Sequence, residues 1–544
     1  MSDHVDFPLS ADSPVNEPEG GPRFEPYESP AGGWGALQAT AKALREQSIV
    51  LKGSKTLLSM NQPDGFDCPG CAWPDPRHTS SFEFCENGAK AVAFELTKRR
   101  VTREFFAAHT VHELEQQSDY WLEEQGRLTE PMRYDRGTDH FVPVSWEDAF
   151  AVIGRELRTL ADPNEAEFYT SGRTSNEAAF LYQLFVRRFG TNNFLDCSNM
   201  CHEPTSVGLP ESIGIGKGTV ILEDFAHAEA IFVIGQNPGT NSPRMMTELR
   251  NASRRGVPIV VFNPLRERTL ERFAAPQSPV EMATFGSTRI ASEYCQVRVG
   301  GDVAALKGVM KLVLEAHETA VRVGDPAVLD VAFIAQHTQG FDALAQDLWR
   351  TRWDDILRVS GLSRDQLERV AAIYARANAV IVCYGMGITQ HRLGSENGQR
   401  QQSITVQDSM STVHTSIGLV EPPRRQLTSE VATICGTATS TLSNSGIDWS
   451  TFESDYDLIR DKIEAVFPDL FHEYDQRIRQ PGGFQLDTQP RDRVWKTPSG
   501  RANFLVFDCI DEEPPVSHPV MLRCATLGRH DQYNITTNTK SLKG

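Results

Sequence analysis

From about residue 145 onward, short apolar runs alternate with stretches whose apolar positions recur every three or four residues. Ala230 to Ile234 is one such run, closed by Gly235 and followed by a turn from Gln236 to Pro243. Arg244 to Arg255 then reads as a helix ended by Gly256, and Val257 to Phe262 as the next strand. Helices from Asp302 to about Glu315 and from Ser363 to Ala377 precede a further strand, Ala379 to Tyr384. Upstream, Ser145 followed by Asp148 reads as a capping box, opening a helix with an apolar face of Phe150, Ile153, Leu157 and Leu160. Glu167 to Gly172 reads as a strand and turn, and Glu177 to Phe189 as a helix. Continuous apolar strands between helices predict an α/β fold, a parallel sheet with helices on its faces. Ligands of such sheets bind beyond the carboxyl ends of the strands. Here those ends carry the turns Gly235–Gly239, Asn263–Arg266 and Gly385–Gln390.

The flanks differ in character. Residues 1–30 are rich in Pro, Glu, Asp and Ser without apolar periodicity, and are expected to be a disordered arm. Residues 395–450 are rich in Ser, Thr and Gln with weak periodicity, and residues 480–500 read as loop. No fixed repeat is visible. A length of 544 residues suggests three or four domains. Against 54 basic residues stand 72 acidic ones, and the net charge of −18 repels phosphate backbones, so no nucleic-acid partner is expected. No apolar run reaches membrane-spanning length, so no membrane partner is expected either. The chain shows neither an apolar signal region nor a twin-arginine pair, which makes the cytoplasm its expected location.

Three motifs carry candidate chemistry. Gly214-Ile-Gly216-Lys217-Gly218-Thr219 looks like a phosphate loop but fails both the Walker A and the GxGxxG patterns, which sets aside a P-loop ATPase and a simple NAD fold. Cys68, Cys71 and Cys85 fall within 18 residues on a loop full of turn formers. Thiolates at that spacing suit zinc or an iron–sulfur cluster, with Asp75 a possible oxygen donor. The bland reading is a set of unligated buried thiols. Cys201-His202 is a reactive thiolate, a soft-metal ligand pair or, more commonly, a buried Cys beside a hydrogen-bonded His.

Taken together, the motifs resemble the FdhF/YdeP-type molybdopterin oxidoreductases, the formate dehydrogenase-like members of the molybdenum bis-guanylate-cofactor superfamily. The resemblance rests on NQPDGFDCPGCAWPDPR from Asn61, FCENGAKAVAFEL from Phe84 and SNMCHEPTSVGLPESIGIGKGTV from Ser198. It extends through VIGQNPGTNSPRMMTELR from Val233, FNPLRER from Phe262, VGGD from Val299, GMGITQHR from Gly385 and PSGRANF from Pro498. The resemblance implies a multidomain molybdopterin-oxidoreductase fold and two cofactors, a [4Fe–4S] cluster and molybdenum bis(molybdopterin guanine dinucleotide). It implies that Cys68, Cys71 and Cys85 ligate the cluster, with Asp75 where the family has its third cysteine. It makes Cys201 the molybdenum ligand and His202 its catalytic neighbour, and it sets Lys90 between cluster and pterin. Gly235, Asn237, Pro238, Asn263, Arg266, Asp302 and Gly385 fall in segments that hold the guanylate and pterin. The implied reaction is a two-electron oxidation of a small substrate, formate by analogy, with electrons leaving through the cluster to an unknown acceptor.

Two departures from the family shape the expected domains. Gly394 runs straight into a sequence that resembles a much later part of the family, and the C-terminal β-barrel has barely begun at Gly544. The expected order is an iron–sulfur-site region with the start of a second domain (31–160) and an α/β molybdopterin-guanylate domain (161–394). A remnant of the discontinuous neighbouring domain (395–514) and a barrel stub (515–544) follow. Poor packing is expected around 395–450 and at the C-terminal end. Besides the active oxidoreductase, two readings stand: a catalytically incomplete remnant or mis-predicted fragment of that family, and a zinc-stabilised α/β binding protein.

Overall fold

The structure is a computed structural model that describes residues 28–68, 70–76, 80–171, 174–196, 203–385, 404–418, 427–442, 445–506 and 510. The disordered-arm expectation for most of residues 1–30, and the C-terminal expectation beyond residue 510, lie outside the described residues.

Four parallel strands form the central sheet: β1 (Ala230–Ile234), β2 (Ile259–Phe262), β3 (Glu293–Cys295) and β4 (Val380–Tyr384), in the order β3-β2-β1-β4. Ile231 pairs with Ile259 on one side and Ile381 on the other. Alternation along the strands sends side chains to opposite faces. Ile231, Val233, Ile259, Val261 and Ile381 pack on Met245, Met246 and Leu249 of the helix Met245–Arg254. Phe232, Ile234, Val260 and Phe262 face the long helix Asp302–Val323 and the helix Arg364–Arg376 through Val309, Val313, Leu367 and Val370. Burying an aliphatic side chain of this size contributes about 1.5–3 kcal/mol, and both faces of β1 and β2 are covered, so these strands are a rigid floor for the turns at their carboxyl ends. Gly324, at positive φ, ends the helix Asp302–Val323, and Ser363 caps the start of Arg364–Arg376.

A second core joins residues that lie on either side of the sheet domain in the sequence. Phe168, Leu181 and Phe185 pack with Val413, Val431, Cys435, Trp449 and Tyr474, not with the central sheet. The helix Asn176–Phe189 therefore belongs with the later segment. At its start Glu177, wholly buried, accepts from the Thr405 backbone N–H and pairs with Arg460 at 2.8 Å.

Poor packing around 395–450 is not what the described part shows. Residues 404–418 form an antiparallel hairpin of β5 (Ile404–Gln407) and β6 (Thr412–Ser416), with Ile404 and Val413 almost fully buried. The helix Glu430–Thr441 follows, capped by Ser429. Its threonine hydroxyls at 433, 437 and 441 donate to carbonyls four residues back, so a polar-looking stretch can be buried. It lies against the helix Trp146–Thr159, where Gly436 admits the Phe150 ring and Gly154 admits the Ser440 backbone. Ser145 caps that helix as expected, whereas Ile153, expected on its buried face, is 42% exposed because Gly154 makes the contact.

Candidate functional site

The strand order creates the site. From β1 the chain crosses to β2 on one side, while β4 lies on the other, so the connections part between β1 and β4. Such a switch point opens a crevice beyond the carboxyl ends of the strands. Gly235 closes β1 at φ 57°, a conformation that disfavours a side chain. Opposite it stands Gly385, where an added Cβ would come within 2.9 Å of the Gln236 side chain. The Gln236 side-chain oxygen is buried without a hydrogen-bond partner, a polar atom waiting in the crevice. Asn263 sits at the end of β2, 7% exposed, its carboxamide oxygen accepting from the Leu265 N–H.

Backbone N–H groups left free at such turns could cradle a pyrophosphate. The N–H groups of Gly235, Asn263 and Gly385 instead continue the sheet ladder, donating to Phe262, Cys295 and Ile234. What the glycines contribute is space. Asn237 accepts from the Thr269 hydroxyl at 2.8 Å, and Pro238 opens the short helix Pro238–Asn241. Arg266 pairs with Glu271 at 2.9 Å and stacks over the Tyr294 ring, and Asp302 begins the long helix after β3. The structure thus gathers Gly235, Asn263 and Gly385 at one edge of the sheet, with Asn237, Pro238 and Arg266 on the adjoining turns.

The thiol loop lies beside this edge. The Cys68 sulfur accepts from Gly70 N–H at 3.3 Å, and the Cys85 sulfur from Gly88 N–H at 3.4 Å. Cys85 is the cap of the helix Glu86–Glu95, whose positive end favours a thiolate. Gly88 is a cradle: a Cβ there would stand 2.6 Å from the Cys68 sulfur. Burial, then the neighbouring thiols, raise both groups, with Cys85 reaching about 12. They are neutral until a cation deprotonates them. Lys90, one turn into the helix, pairs with Glu86 at 3.0 Å.

A single zinc ion holds sulfurs at about 2.3 Å, hence roughly 3.8 Å from one another in a tetrahedron. Among the described residues the only Cys, His or carboxylate triad with ligand atoms all within 4.8 Å is Asp67, Asp75 and His414. Cys68, Cys71 and Cys85 do not form such a triad. Asp75, the residue in the third-cysteine position, pairs with the buried Arg244 at 2.9 Å, and Glu83 lies 3.6 Å from the same guanidinium. Burial works against a charge on His414, but Asp67, Asp75 and Asp408 outweigh it and lift its pKa. His414 stands 3.3 Å from Asp67. The two carboxylates of the triad therefore face an arginine and a histidine whose charged form they favour.

Sequence reasoning missed Arg244 and His414. Each lies more than 150 residues from the thiols, with no local signal to connect them. Arg244 ties the loop to the sheet domain, and its guanidinium also donates to the Trp73 carbonyl. The hairpin β5–β6 ties it from the other side: Asp67 N–H donates to the Ser416 hydroxyl, Ser409 N–H to the Ala72 carbonyl and Ile417 N–H to the Gly65 carbonyl. Cys201 and His202 lie outside the described residues. The helix Glu203–Ile213 starts directly after them, and in its first turn Thr205 bonds the Tyr384 hydroxyl, next to Gly385, at 3.2 Å.

Residues 127–455 match the family described as molybdopterin oxidoreductase. Protein YdeP of Escherichia coli is 41% identical over 654 aligned positions, covering 94% of this chain and 86% of that protein. An uncharacterized oxidoreductase of Mycobacterium tuberculosis is 36% identical, with 94% and 83% covered. Formate dehydrogenase H of Escherichia coli is 27% identical over 286 positions, covering 52% of this chain and 36% of the enzyme. The 654 aligned positions outnumber the 544 residues here, so the relatives carry segments without a counterpart in this chain. No described helix is long and apolar enough to cross a membrane.

Proposed function

Because the chain belongs to the molybdopterin oxidoreductase family, we propose that it is a formate dehydrogenase-like enzyme that oxidises a small molecule by two electrons. Its cofactors on this reading are molybdenum bis(molybdopterin guanine dinucleotide) and a [4Fe–4S] cluster, and its place is the cytoplasm. The observation that carries the reading is the adjacency of two cradles: the β1–β4 crevice with the Gln236 oxygen that has no partner among the described residues, and the thiol loop with its Gly88 cradle, clasped to the sheet domain by Arg244. When bound, the molybdenum centre takes an electron pair from substrate and the cluster passes electrons on singly. Cys201 supplies a soft thiolate to the metal. His202, beside it, accepts the substrate's proton on its imidazole near neutral pH. Gly235 and Gly385 keep the crevice open, and Asn237, Pro238, Asn263, Arg266 and Asp302 line the approach of the guanylate and pterin. Cys68, Cys71 and Cys85 hold iron, and Lys90 stands on the helix between the two centres.

Exposed apolar side chains favour a second reading, a chain that keeps the fold but holds molybdenum weakly. Val207, Val382 and Tyr384 are 55%, 49% and 36% exposed, and the relatives carry segments without a counterpart in this chain. Anaerobic expression in a host that makes the bis-guanylate cofactor distinguishes the two. We expect iron, an EPR signal on dithionite reduction, and guanylate released by acid hydrolysis along with molybdenum. Iron without molybdenum would select the remnant, and stoichiometric zinc without iron would overturn both.

A further inference from the structure

The loop after the helix Glu203–Ile213 contains a lysine that no part of the reading above uses. Gly214 turns the chain at φ 84°, and the loop then runs back along the helix it has just left. At Gly216 an added Cβ would stand 3.0 Å from the Ser206 backbone, so Lys217 sits alongside the first turn of that helix. That turn begins directly after Cys201-His202, and its Thr205 is bonded to Tyr384 at the crevice. Next to Lys217, a Cβ on Gly218 would meet nothing within 4 Å, so open space adjoins the lysine.

Lys217 is partly buried, yet among the described residues its ammonium makes no hydrogen bond or ion pair. Burial lowers its pKa to about 8, against which Asp408 pulls it up. Asp408 is not in ion-pair contact with it. One carboxylate oxygen of Asp408 accepts from Met410 and Thr412 N–H groups, and the other is buried without a partner. A desolvated cation lacking a partner costs stability, and a ligand that brings a negative charge repays that cost on binding. The positive end of the adjacent eleven-residue helix acts in the same direction.

We propose that Lys217 receives a small oxyanion, the carboxylate or like group of the substrate, beside the first turn of the helix Glu203–Ile213. The proposal rests on the oxidoreductase reading for the word substrate, but not for the anion site itself. A single ammonium fits a single negative charge, so the favoured ligands are small monoanions.

The test uses the full chain, both molybdenum-loaded and molybdenum-free, with 13C-formate as probe and its NMR line width as readout. Lys217→Met should weaken formate binding about 10–100-fold, the size of a lost charge-assisted hydrogen bond. Lys217→Arg should keep it within a few-fold. Molybdenum and guanylate per chain should be unchanged in both variants, and their melting temperatures close to wild type. Unaltered formate binding in Lys217→Met, or no formate binding by the wild type, overturns the proposal. So does loss of guanylate in Lys217→Met, because it would assign the lysine to the cofactor's phosphates. Formate held through Lys217 by a wild-type chain that never takes up molybdenum would leave the anion site standing and overturn the oxidoreductase reading.

Discussion

Cys201→Ser abolishes turnover in the molybdenum-loaded chain, while His202→Ala leaves the metal bound and slows the reaction about 10²–10⁴-fold, the range for a lost general base. The two changes differ in what they remove. Serine is nearly isosteric with cysteine, but its hydroxyl is a hard, weakly acidic donor where a soft, readily ionised thiolate is needed. The loss is therefore one of ligand chemistry and not of packing. Alanine at 202 keeps every metal donor and takes away only the group that accepts a proton. Steady-state dye reduction with formate, together with molybdenum per chain, separates the two. Full activity in Cys201→Ser would refute the ligand assignment, and loss of metal in His202→Ala would make that residue structural.

Gly88→Ala empties the iron site of a chain that folds at least as well as wild type. Gly88 lies in the first turn of the helix Glu86–Glu95, and alanine is favoured over glycine in a helix by about 1 kcal/mol. The new methyl would stand 2.6 Å from the Cys68 sulfur, well inside contact distance. A free thiol escapes by turning about one bond, so the metal-free protein tolerates the change. A thiolate anchored to iron cannot turn away without breaking its bond. Iron content should fall several-fold while the melting temperature of the metal-free chain holds or rises. An unchanged iron content with a normal reduced-cluster EPR signal would show that Cys68 is not a ligand.

Much of the sheet domain was legible because its signals are local. The apolar runs at 230–234 and 259–262, the serine cap at 363 and the turn glycines each report on their own few residues. The later segment was not legible for the opposite reason. Val406 and Val413 stand among threonines and serines, and the helix Glu430–Thr441 is built of Ala, Thr, Gly and Cys with little contrast between its faces. Its packing depends on Gly436 fitting the Phe150 ring of the helix Trp146–Thr159 and on Gly154 of that helix fitting the Ser440 backbone, a match written in two distant places. The same holds at the thiols. Their spacing suggested a metal, whereas the pairing of Asp75 with Arg244 and of Asp67 with His414 belongs to the fold alone.

The clasp of the hairpin on the thiol loop also fixes a timetable. Residues 65, 67 and 72 are bonded to residues 417, 416 and 409, contacts that close a loop of some 340 residues or more. During synthesis the cysteines leave the ribosome early, while the strand that secures their loop is still hundreds of codons away. Contacts this distant form late in folding, and surfaces that wait for them are exposed meanwhile. The thiols should therefore stay reactive toward alkylating agents in nascent chains halted before Ile404 and become protected once Ile417 has emerged. Protection in the shorter chains would show that the loop closes without its clasp. On this timetable any metal the thiols take up waits for the hairpin β5–β6, and the ordering of the loop is a checkpoint that only a chain made through that hairpin can pass.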